Sequence, residues 1–324
     1  MVFSIIIPVY NAQETLPHCL DSIINQTFQD YEVLLINDGS EDQSAKVCAD
    51  AANDKRFRVF YQNNKGPGAA RNKGLLNARG DYVCFIDSDD YICPDYLEQL
   101  YLQIKATCAE AIFFGYNKVN TAGDIVKVCV PEEATDSYNT KELLLKLSEQ
   151  DLFGYTWIKC FSKTIIDKNC FFEDMRLFED EVFSCQVLKK ECKISVLKNP
   201  IYCYVADGNQ MLTASTHPDY CILTERVYCA WKELLQGDDN TISALLNKAD
   251  YFVRRCQFYG FEHEVDIKTF FMPLSQTTFF KEHSNWNKFD RLIEKNKWNA
   301  IWRMQKVYQL KQAIGKALYK NRIG

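Results

Sequence analysis

The chain has 324 residues, a formal net charge of −5 and 47% hydrophobic residues, enough for one large globular domain with a substantial appendage. No apolar stretch approaches the roughly 20 residues that a membrane-spanning helix needs. The 14 cysteines include no C-x-x-C pair, which argues against zinc-ribbon and dithiol redox sites. Many of them lie in apolar runs, where free cysteine packs as a small hydrophobe, so we expect a cytoplasmic protein.

The charge is distributed unevenly along the chain. Residues 291–324 contain nine Lys or Arg and one acid, a net charge of +8, which leaves −13 for residues 1–290. An acidic body without interleaved basic and aromatic residues argues against nucleic-acid binding. The basic segment is predicted to form an amphipathic helix that could lie on an anionic membrane, pack on the protein or pair two subunits. Its apolar face would contain Ile301, Met304, Val307, Tyr308, Ile314, Leu318 and Tyr319.

The first hundred residues alternate strand-like and helix-like segments. The predicted strands are FSIIIPVYN, YEVLLINDGS, FRVFYQN and DYVCFIDSDD; the predicted helices lie in AQETLPHCLDSIINQ, EDQSAKVCADAAND, KGPGAARNKGLLNA and CPDYLEQLYLQIKA. This βαβαβαβα order, with nearly continuous apolar residues in the strands, predicts a mostly parallel sheet covered by helices. Ligands bind beyond the carboxyl ends of such strands, so PVYN, NDGS and DSDD should meet at one edge.

The rest of the chain is predicted to hold a second mixed region and then a helical one. AEAIFFGYNKV, DIVKVCV and KISVLKNPIYCYV resemble strands, whereas TKELLLKLSEQ and FEDEVFSCQVLKKE resemble helices. From Tyr220 onward the pattern is helical. We place the boundary between the two regions at residue 215, in QMLTASTHPDY.

Three carboxylates in FIDSDDY follow the fourth predicted strand. Asp87 and Asp89 are two residues apart, so they would face the same side of an extended strand end. Two carboxylates on one face make a hard oxygen site suited to Mg²⁺ or Mn²⁺ together with substrate phosphates. The alternative is a solvated turn in which Asp90 assists the start of the next helix.

A glycine-rich, basic turn precedes the third predicted helix. NKGPGAARNKG supplies Lys65, Gly66, Gly68 and Arg71, and a helix N-terminus with a nearby guanidinium attracts phosphate. The segment matches neither GxxxxGK[ST] nor GxGxxG, which argues against an ATPase P-loop and a dinucleotide-binding fold. Asp38 in NDGS could bind a base or ribose, or could form a loop Asx-turn.

Taken together, these segments resemble the family 2 glycosyltransferases of the GT-A fold. The resemblance runs through SIIIPVYNAQETLPHCLDSIINQTFQDYEVLLINDGSEDQS, NNKGPGAARNKGL and GDYVCFIDSDDYICPDYLE in order and spacing. It implies an α/β GT-A domain over residues 1–215, with a nucleotide-sugar-binding half (1–100) and an acceptor-side half (101–215). Residues 216–324 would be a helical C-terminal region with the basic amphipathic tail.

The resemblance also implies a UDP-sugar donor, a divalent Mn²⁺ or Mg²⁺, and roles for particular residues. Asp87 would touch ribose or metal-bound water, Asp89 would hold the metal on the diphosphate, and Asp38 would contact uracil. The residues expected to line the nucleotide site are Pro8, Val9, Tyr10, Asn11, Glu14, Asp38, Lys65, Gly68, Arg71, Asp87 and Ser88.

Fainter similarity in the acceptor-side half includes W-x-K-x-F at Trp157–Phe161 and F-E-D-x-x-F at Phe178–Phe183. In the family pattern the Asp of this second motif, here Asp180, is the catalytic base, and an inverting displacement needs such a carboxylate opposite the leaving diphosphate. Glu179 is predicted as a substrate-hydroxyl ligand or the fallback base. The alternative is an acidic helix N-terminus favoured by the helix dipole.

Two further positions are predicted with less support from their surroundings. Trp157 could stack on an acceptor sugar, although aromatic residues in such runs also serve as core. His217 in ASTHPD could be an extra metal ligand, as in some enzymes of this fold, or an exposed loop residue.

The predicted function is metal-dependent, inverting transfer of a hexose or N-acetylhexosamine from a UDP-sugar to a hydroxyl of a glycan or lipid-linked acceptor. The predicted setting is bacterial capsule, O-antigen or exopolysaccharide synthesis, in the cytoplasm or peripherally on the inner face of the membrane. A second hypothesis is a catalytically silent nucleotide-sugar-binding partner of another glycosyltransferase. A nucleotidyltransferase is disfavoured because PVYN replaces its glycine-rich basic signature.

Overall fold

The computed structural model describes residues 1–132, 135–138, 141–166, 170–206, 219–235, 242–262, 266–283 and 287–323. The chain divides into two compact units, Met1–Gln210 and Met211–Gly324. The predicted boundary at residue 215 lies outside the described residues, as does His217. The position of this boundary and the roles assigned to the two regions therefore stay predictions. Each unit is described separately.

The described residues of the first unit form one sheet of ten strands. These are β1 (Phe3–Val9), β2 (Tyr31–Asp38), β3 (Phe57–Gln62), β4 (Tyr82–Phe85), β5 (Tyr91–Ile92), β6 (Ala111–Val119), β7 (Ile125–Cys129), β8 (Thr135–Tyr138), β9 (Lys159–Ser162) and β10 (Lys193–Val205). Their order is β3-β2-β1-β4-β9-β6-β10-β5, with β7 paired to β6 and β8 paired to β10.

Strands β1 to β4 pair in parallel, as predicted, in the register Phe3↔Tyr31 and Phe3↔Tyr82. The predicted acceptor-side half adds antiparallel pairs, because β9 runs against both β4 and β6, whereas β10 runs parallel to β6. The sheet is therefore parallel in its first half and mixed in its second. Every side chain of β2 is buried, which explains its almost uninterrupted apolar sequence.

Helices cover this sheet and connect its strands. They are α1 (Leu16–Ile24), α2 (Ser44–Ala51), α3 (Pro67–Asn77), α4 (Tyr96–Thr107), α5 (Lys141–Glu149), α6 (Lys163–Ile166) and α7 (Glu179–Val187), with a short 3-10 helix at Thr156–Ile158. Each of the first three predicted helices is shorter than its sequence segment. Pro67 occupies the first turn of α3, where a missing N–H costs nothing.

The carboxyl ends of β1, β2, β4 and β6 point to one edge of the sheet, because these strands run parallel or are joined through the shared antiparallel neighbour β9. Strand β4 is shorter than predicted and ends at Phe85. Residues 87–90 form a turn closed by the Asp90 amide, which donates to the Asp87 carbonyl oxygen at 3.1 Å. The expectation that Asp87 and Asp89 share one side of an extended strand was therefore wrong in its geometry.

The second unit is helical in its described residues. Its helices are α8 (Tyr220–Leu234), α9 (Ile242–Glu262), α10 (Ile267–Leu274), α11 (Thr278–Glu282), α12 (Lys288–Glu294) and α13 (Trp298–Ile323). None of the helices in the described part of the chain is both long and apolar enough to cross a membrane. All 14 cysteines are free thiols.

Helix α13 differs from the predicted amphipathic helix. Ile301 is buried as expected and Gln305 is buried beside it, but Met304 and Val307 are exposed. The buried stripe is therefore narrower than the sequence pattern suggested. The side chains of Ile314, Leu318 and Tyr319 lie outside the described part of the structure.

Close packing of α3 on β1 yields a stability prediction. A Cβ atom on Gly74 would lie 2.3 Å from Cγ2 of Ile6, so Gly74→Ala should lower the free energy of unfolding. The expected loss is about 1–3 kcal/mol, typical of overpacking, measured by urea denaturation followed by circular dichroism. Leu76→Ala on the exposed side of α3 is the control and should change little. Unchanged stability of Gly74→Ala would show that α3 can move away from β1.

Candidate active site

A buried arginine links the two halves of the first unit. Arg71 on α3 is 4% exposed. Its Nη1 donates to Oε1 of Glu179 at 3.0 Å and to Oδ1 of Asp180 at 2.9 Å, and its Nη2 donates to Oδ1 of Asp87 at 2.9 Å. The ring of Phe171 lies 5.5 Å from the guanidinium carbon. One cation thus holds carboxylates from the DSDD turn and from the first turn of α7.

The glycine-rich turn positions α3 for this contact. Asp38, at the end of β2, accepts hydrogen bonds from the backbone amides of Lys65 at 2.9 Å and Gly66 at 2.8 Å. Gly66 has a φ of 91°, which favours glycine. A Cβ on Gly68 would lie 3.2 Å from the carbonyl oxygen of Phe172, so glycine here lets the segment around Phe172 pack against the helix.

Asp180 is oriented by donors on both of its oxygens. Besides the Arg71 contact on Oδ1, its Oδ2 accepts from the backbone amide of Thr156 at 3.2 Å and from the Thr156 hydroxyl at 3.0 Å. Glu179 is more deeply buried and has Arg71 as its side-chain partner. Burial and the neighbouring Asp180 raise the pKa of Glu179 to about 7 against the opposing pull of Arg71.

The turn after β4 is held in place by hydrogen bonds to β10. The buried Asp90 carboxylate accepts from the hydroxyl of Tyr202 at 2.7 Å and from the Val205 amide at 2.8 Å. The backbone amide of Asp87 donates to the same tyrosine oxygen at 3.2 Å. Asp90 therefore fastens the turn to β10 and does not serve the start of a helix. Asp89, by contrast, is exposed.

The crowding of carboxylates at this edge changes their acidity. Burial raises the pKa of Asp87 to about 6, with Arg71 opposing and with Asp89 and Asp180 adding to the rise. Desolvation by the surrounding protein atoms also raises the pKa of Asp89, even though its side chain reaches the surface. Burial opposes the charge of Arg71, but the attraction of Asp180, Asp87 and Glu179 outweighs it and raises the pKa of the guanidinium. The site thus contains more carboxylate groups than positively charged groups.

The loop after β1 carries the remaining predicted nucleotide contacts. Asn11, with a φ of 48°, accepts from the Glu41 amide at 2.9 Å through its side chain and donates its own amide to the Ser40 hydroxyl at 3.1 Å. Tyr10 and Glu14 are exposed on this loop, whereas the Val9 side chain is fully buried. Any contact from Val9 would therefore come from its backbone. Elsewhere on this edge Lys65 is exposed, while Pro8 and Ser88 are half-buried.

Trp157 lies inside an aromatic stack rather than on the surface. Its ring is 5% exposed and stacks on Tyr202 at 4.7 Å, on Tyr204 at 5.3 Å and on Tyr155 at 5.0 Å between centroids. Tyr116 contacts it edge-on at 4.9 Å. The prediction that Trp157 itself stacks on an acceptor is not supported by this burial. Tyr155 is the exposed ring of the stack.

Three supporting residues were missed in the sequence. Thr156 and Tyr202 each hold an acidic residue, as described above, and Lys159 is fully buried, with its Nζ donating to the carbonyl oxygens of Phe153 and Tyr155. Burial lowers the pKa of Lys159 to about 7, although Asp180 pulls the other way. Of these three residues, only Lys159 lies in a motif that could be recognised in the sequence, as the middle residue of W-x-K-x-F.

The donor atoms at this edge fit a divalent cation held jointly with a substrate. Among the described residues, no cluster of three His, Cys, Asp or Glu side chains could hold a metal ion. Asp90 is bound by Tyr202 and Oδ1 of Asp87 by Arg71, whereas the Asp89 carboxylate is exposed and offers a hard oxygen ligand. Mg²⁺ commonly binds through one or two carboxylates plus substrate phosphates, so this arrangement suits it.

Comparisons with known proteins find bacterial relatives that are named as glycosyltransferases. EpsH of Bacillus subtilis (strain 168), named provisionally as a glycosyltransferase, is 33% identical over 208 residues, covering 62% of this chain and 60% of EpsH. The poly(ribitol-phosphate) beta-glucosyltransferase of Bacillus spizizenii is 31% identical over 233 residues, covering 68% of this chain and 35% of that protein. The chain thus spans less than two thirds of the length of these relatives.

The crystal structure of S. aureus TarS residues 1–349 in complex with UDP-GlcNAc matches with a TM-score of 0.74 at 20% identity. The match covers 97% of this chain and 92% of that one. The fold is GT-A, a mixed sheet flanked by helices and followed by C-terminal helices. Residues 4–162 match the model of Glycosyl transferase family 2, so this segment is a Glycosyl transferase family 2 domain.

The buried charge network leads to a second stability prediction. Arg71→Met should lower the free energy of unfolding by ~3–5 kcal/mol, because three carboxylates would lose their cation while remaining in the site. Adding Glu179→Gln should recover part of this loss by removing one unpaired charge. Urea denaturation of the single and double variants measures both effects.

The matched control is Lys146→Met, which removes an exposed ion pair with Glu142 at 4.0 Å. Its effect should stay below about 1 kcal/mol. An Arg71→Met variant as stable as the Lys146→Met control would contradict the assigned structural role of Arg71.

Proposed function

We propose that the protein transfers a hexose or N-acetylhexosamine from a UDP-sugar to a hydroxyl of a glycan or lipid-linked acceptor, with inversion at the anomeric carbon. The observation that carries this proposal is the orientation of Asp180. Thr156 and Arg71 hold its two oxygens, and the same Arg71 binds Asp87 of the turn expected at the nucleotide. A base and a donor site are thereby joined through one side chain.

In the proposed reaction, Asp180 accepts the proton of the acceptor hydroxyl while that oxygen attacks the anomeric carbon. The bond between the anomeric carbon and the diphosphate oxygen breaks, and UDP leaves with the electron pair. A bound Mn²⁺ or Mg²⁺ would supply charge neutralisation at the departing diphosphate, with Asp89 as its protein ligand. No general acid is then needed on the leaving group.

Glu179 remains the fallback base or a ligand for a substrate hydroxyl. It shares Arg71 with Asp180, but its carboxylate lacks the second anchor that Thr156 gives to Asp180. A fixed carboxylate is the better base because proton transfer requires hydrogen-bond geometry with the attacking hydroxyl. The geometry therefore favours Asp180.

The relatives support the choice of donor and setting. TarS binds UDP-GlcNAc and UDP in its crystal structures, and the Bacillus spizizenii relative is a glucosyltransferase by name. We extend a UDP-sugar donor and a role in bacterial surface-polysaccharide synthesis to this chain on that basis. Asp38, Lys65 and the loop Pro8–Glu14 remain the proposed nucleotide contacts, with Gly68 allowing the close packing beside them.

Peripheral contact with an anionic membrane, or pairing of two subunits, is proposed for α13. The described part of this helix exposes Trp302, Met304 and Val307 next to the basic residues Arg303 and Lys306. Aromatic and apolar side chains flanked by basic ones suit a helix lying in a membrane interface. Such a contact would bring a lipid-linked acceptor to a cytoplasmic enzyme.

The proposed base can be tested by Asp180→Asn. The amide oxygen can still accept a hydrogen bond but cannot take a proton, so transfer should fall by about 10²–10⁴-fold. UDP affinity, measured by calorimetry, should remain within a few-fold. Glu181→Gln on the same helical turn is the matched control and should keep its activity. Transfer by Asp180→Asn at the control rate would reassign the base to Glu179.

The proposed metal ligand can be tested separately by Asp89→Asn. The variant should lose the Mn²⁺-dependent part of UDP binding, because the amide is a weaker ligand for a hard cation. Calorimetric titration with UDP, with and without Mn²⁺, measures this difference. Asp50→Asn on the exposed face of α2 should behave as the unmodified protein. Full Mn²⁺ dependence in Asp89→Asn would remove Asp89 from the metal site.

A further inference from the structure

An exposed aromatic ring lies next to the residue that holds the proposed base. Tyr155 is 42% exposed. It stacks on the buried Trp157 at an interplanar angle of 26°, and Trp157 stacks in turn on Tyr204 at 8°. The next residue after Tyr155 in the chain is Thr156, which donates two hydrogen bonds to Asp180. Tyr155 is therefore the chain neighbour of a residue that contacts the proposed base directly.

The backbone that carries this ring is held from two directions. The fully buried Lys159 donates from Nζ to the carbonyl oxygens of Phe153, at 2.5 Å, and of Tyr155. On the following residue, Thr156 is held by Asp180 through both its amide and its hydroxyl. Burying a lysine is costly, and here the buried amino group fixes the short segment from Phe153 to Tyr155 through two hydrogen bonds.

Aromatic rings bind sugars through a simple physical complementarity. One face of a pyranose ring presents several C–H groups that carry partial positive charge, and the face of an aromatic ring is electron-rich. Stacking buries apolar area on both partners without desolvating the sugar hydroxyls. A rigid ring also binds at low entropic cost, because it has few rotatable bonds to immobilise.

We propose that Tyr155 is an acceptor-binding residue whose ring stacks on the pyranose of the acceptor sugar and so presents its hydroxyl to Asp180. This inference rests on the proposed function. It names the acceptor class as a pyranose-containing saccharide and transfers the predicted stacking role from the buried Trp157 to its exposed neighbour. Trp157 and Tyr204 support the ring from behind.

The test uses the full-length chain and three methyl hexosides as acceptors: methyl β-glucopyranoside, methyl β-galactopyranoside and methyl N-acetyl-β-glucosaminide. Ribitol, an open-chain polyol without a pyranose face, is the contrasting acceptor. The donor is the UDP-sugar that the unmodified protein hydrolyses fastest. Tyr155→Ala and Tyr155→Phe are compared with Tyr251→Ala, which removes a tyrosine that is 52% exposed in the second unit.

For Tyr155→Ala we expect an increase of about tenfold or more in the KM for the methyl hexosides, consistent with the loss of one aromatic stack. UDP affinity and slow hydrolysis of the UDP-sugar should stay within twofold, because the donor side is untouched. Tyr155→Phe should keep the KM of the unmodified protein, since stacking does not need the hydroxyl. Tyr251→Ala should change none of these values.

Several results would overturn the inference while leaving the proposed function intact. These are an unchanged KM in Tyr155→Ala, equal losses in Tyr155→Ala and Tyr155→Phe, and parallel losses of hydrolysis and transfer. Transfer to ribitol but to none of the hexosides by the unmodified protein would also overturn it. If the unmodified protein neither binds UDP nor hydrolyses any UDP-sugar, the proposed function itself fails, and the inference fails with it.

Discussion

The site depends on one buried guanidinium surrounded by carboxylates. Asp87, Glu179 and Asp180 approach Arg71 within 3.0 Å, although Asp87 lies 92 residues before Glu179 in the chain. Without this cation their mutual repulsion would push the turn after β4 away from α7. Because Asp87 belongs to the predicted nucleotide-binding half and Asp180 to the predicted acceptor-side half, Arg71 also connects the proposed donor site to the proposed base.

This arrangement gives the glycine-rich turn a second purpose. Its sequence suggests a phosphate cradle, and its structure shows how the helix carrying Arg71 is aimed: Asp38 fixes the start of the turn, and Gly68 allows the acceptor-side half to approach. The supporting residues act in the same way, since Thr156 orients Asp180 and Tyr202 holds the turn beside Asp87. Most of the conspicuous polar groups at this edge therefore also hold one another in place.

The sequence predicted the features that depend on local patterns and missed those that depend on contacts between distant residues. Strands β1 to β4 and the meeting of their polar ends were predictable, because apolar runs and strand direction are local or follow from parallel pairing. The contact between Arg71 and Glu179 was not, since it joins residues 108 positions apart. The contact of Asp90 with β10 and the narrow buried stripe of α13 were also missed, because packing decides them rather than periodicity, whereas the turn at Asp87 and the burial of Trp157 match alternatives that the sequence left open.

We propose that this edge of the sheet binds a UDP-sugar together with a divalent cation. Calorimetric titration of the unmodified protein with UDP, with and without Mn²⁺, tests it most directly, followed by a panel of UDP-sugars scored for slow hydrolysis. We expect UDP binding that depends on Mn²⁺ and faster hydrolysis of one UDP-sugar than of the others. Absence of UDP binding in both conditions would contradict it and would move the donor to another nucleotide or favour a catalytically silent partner.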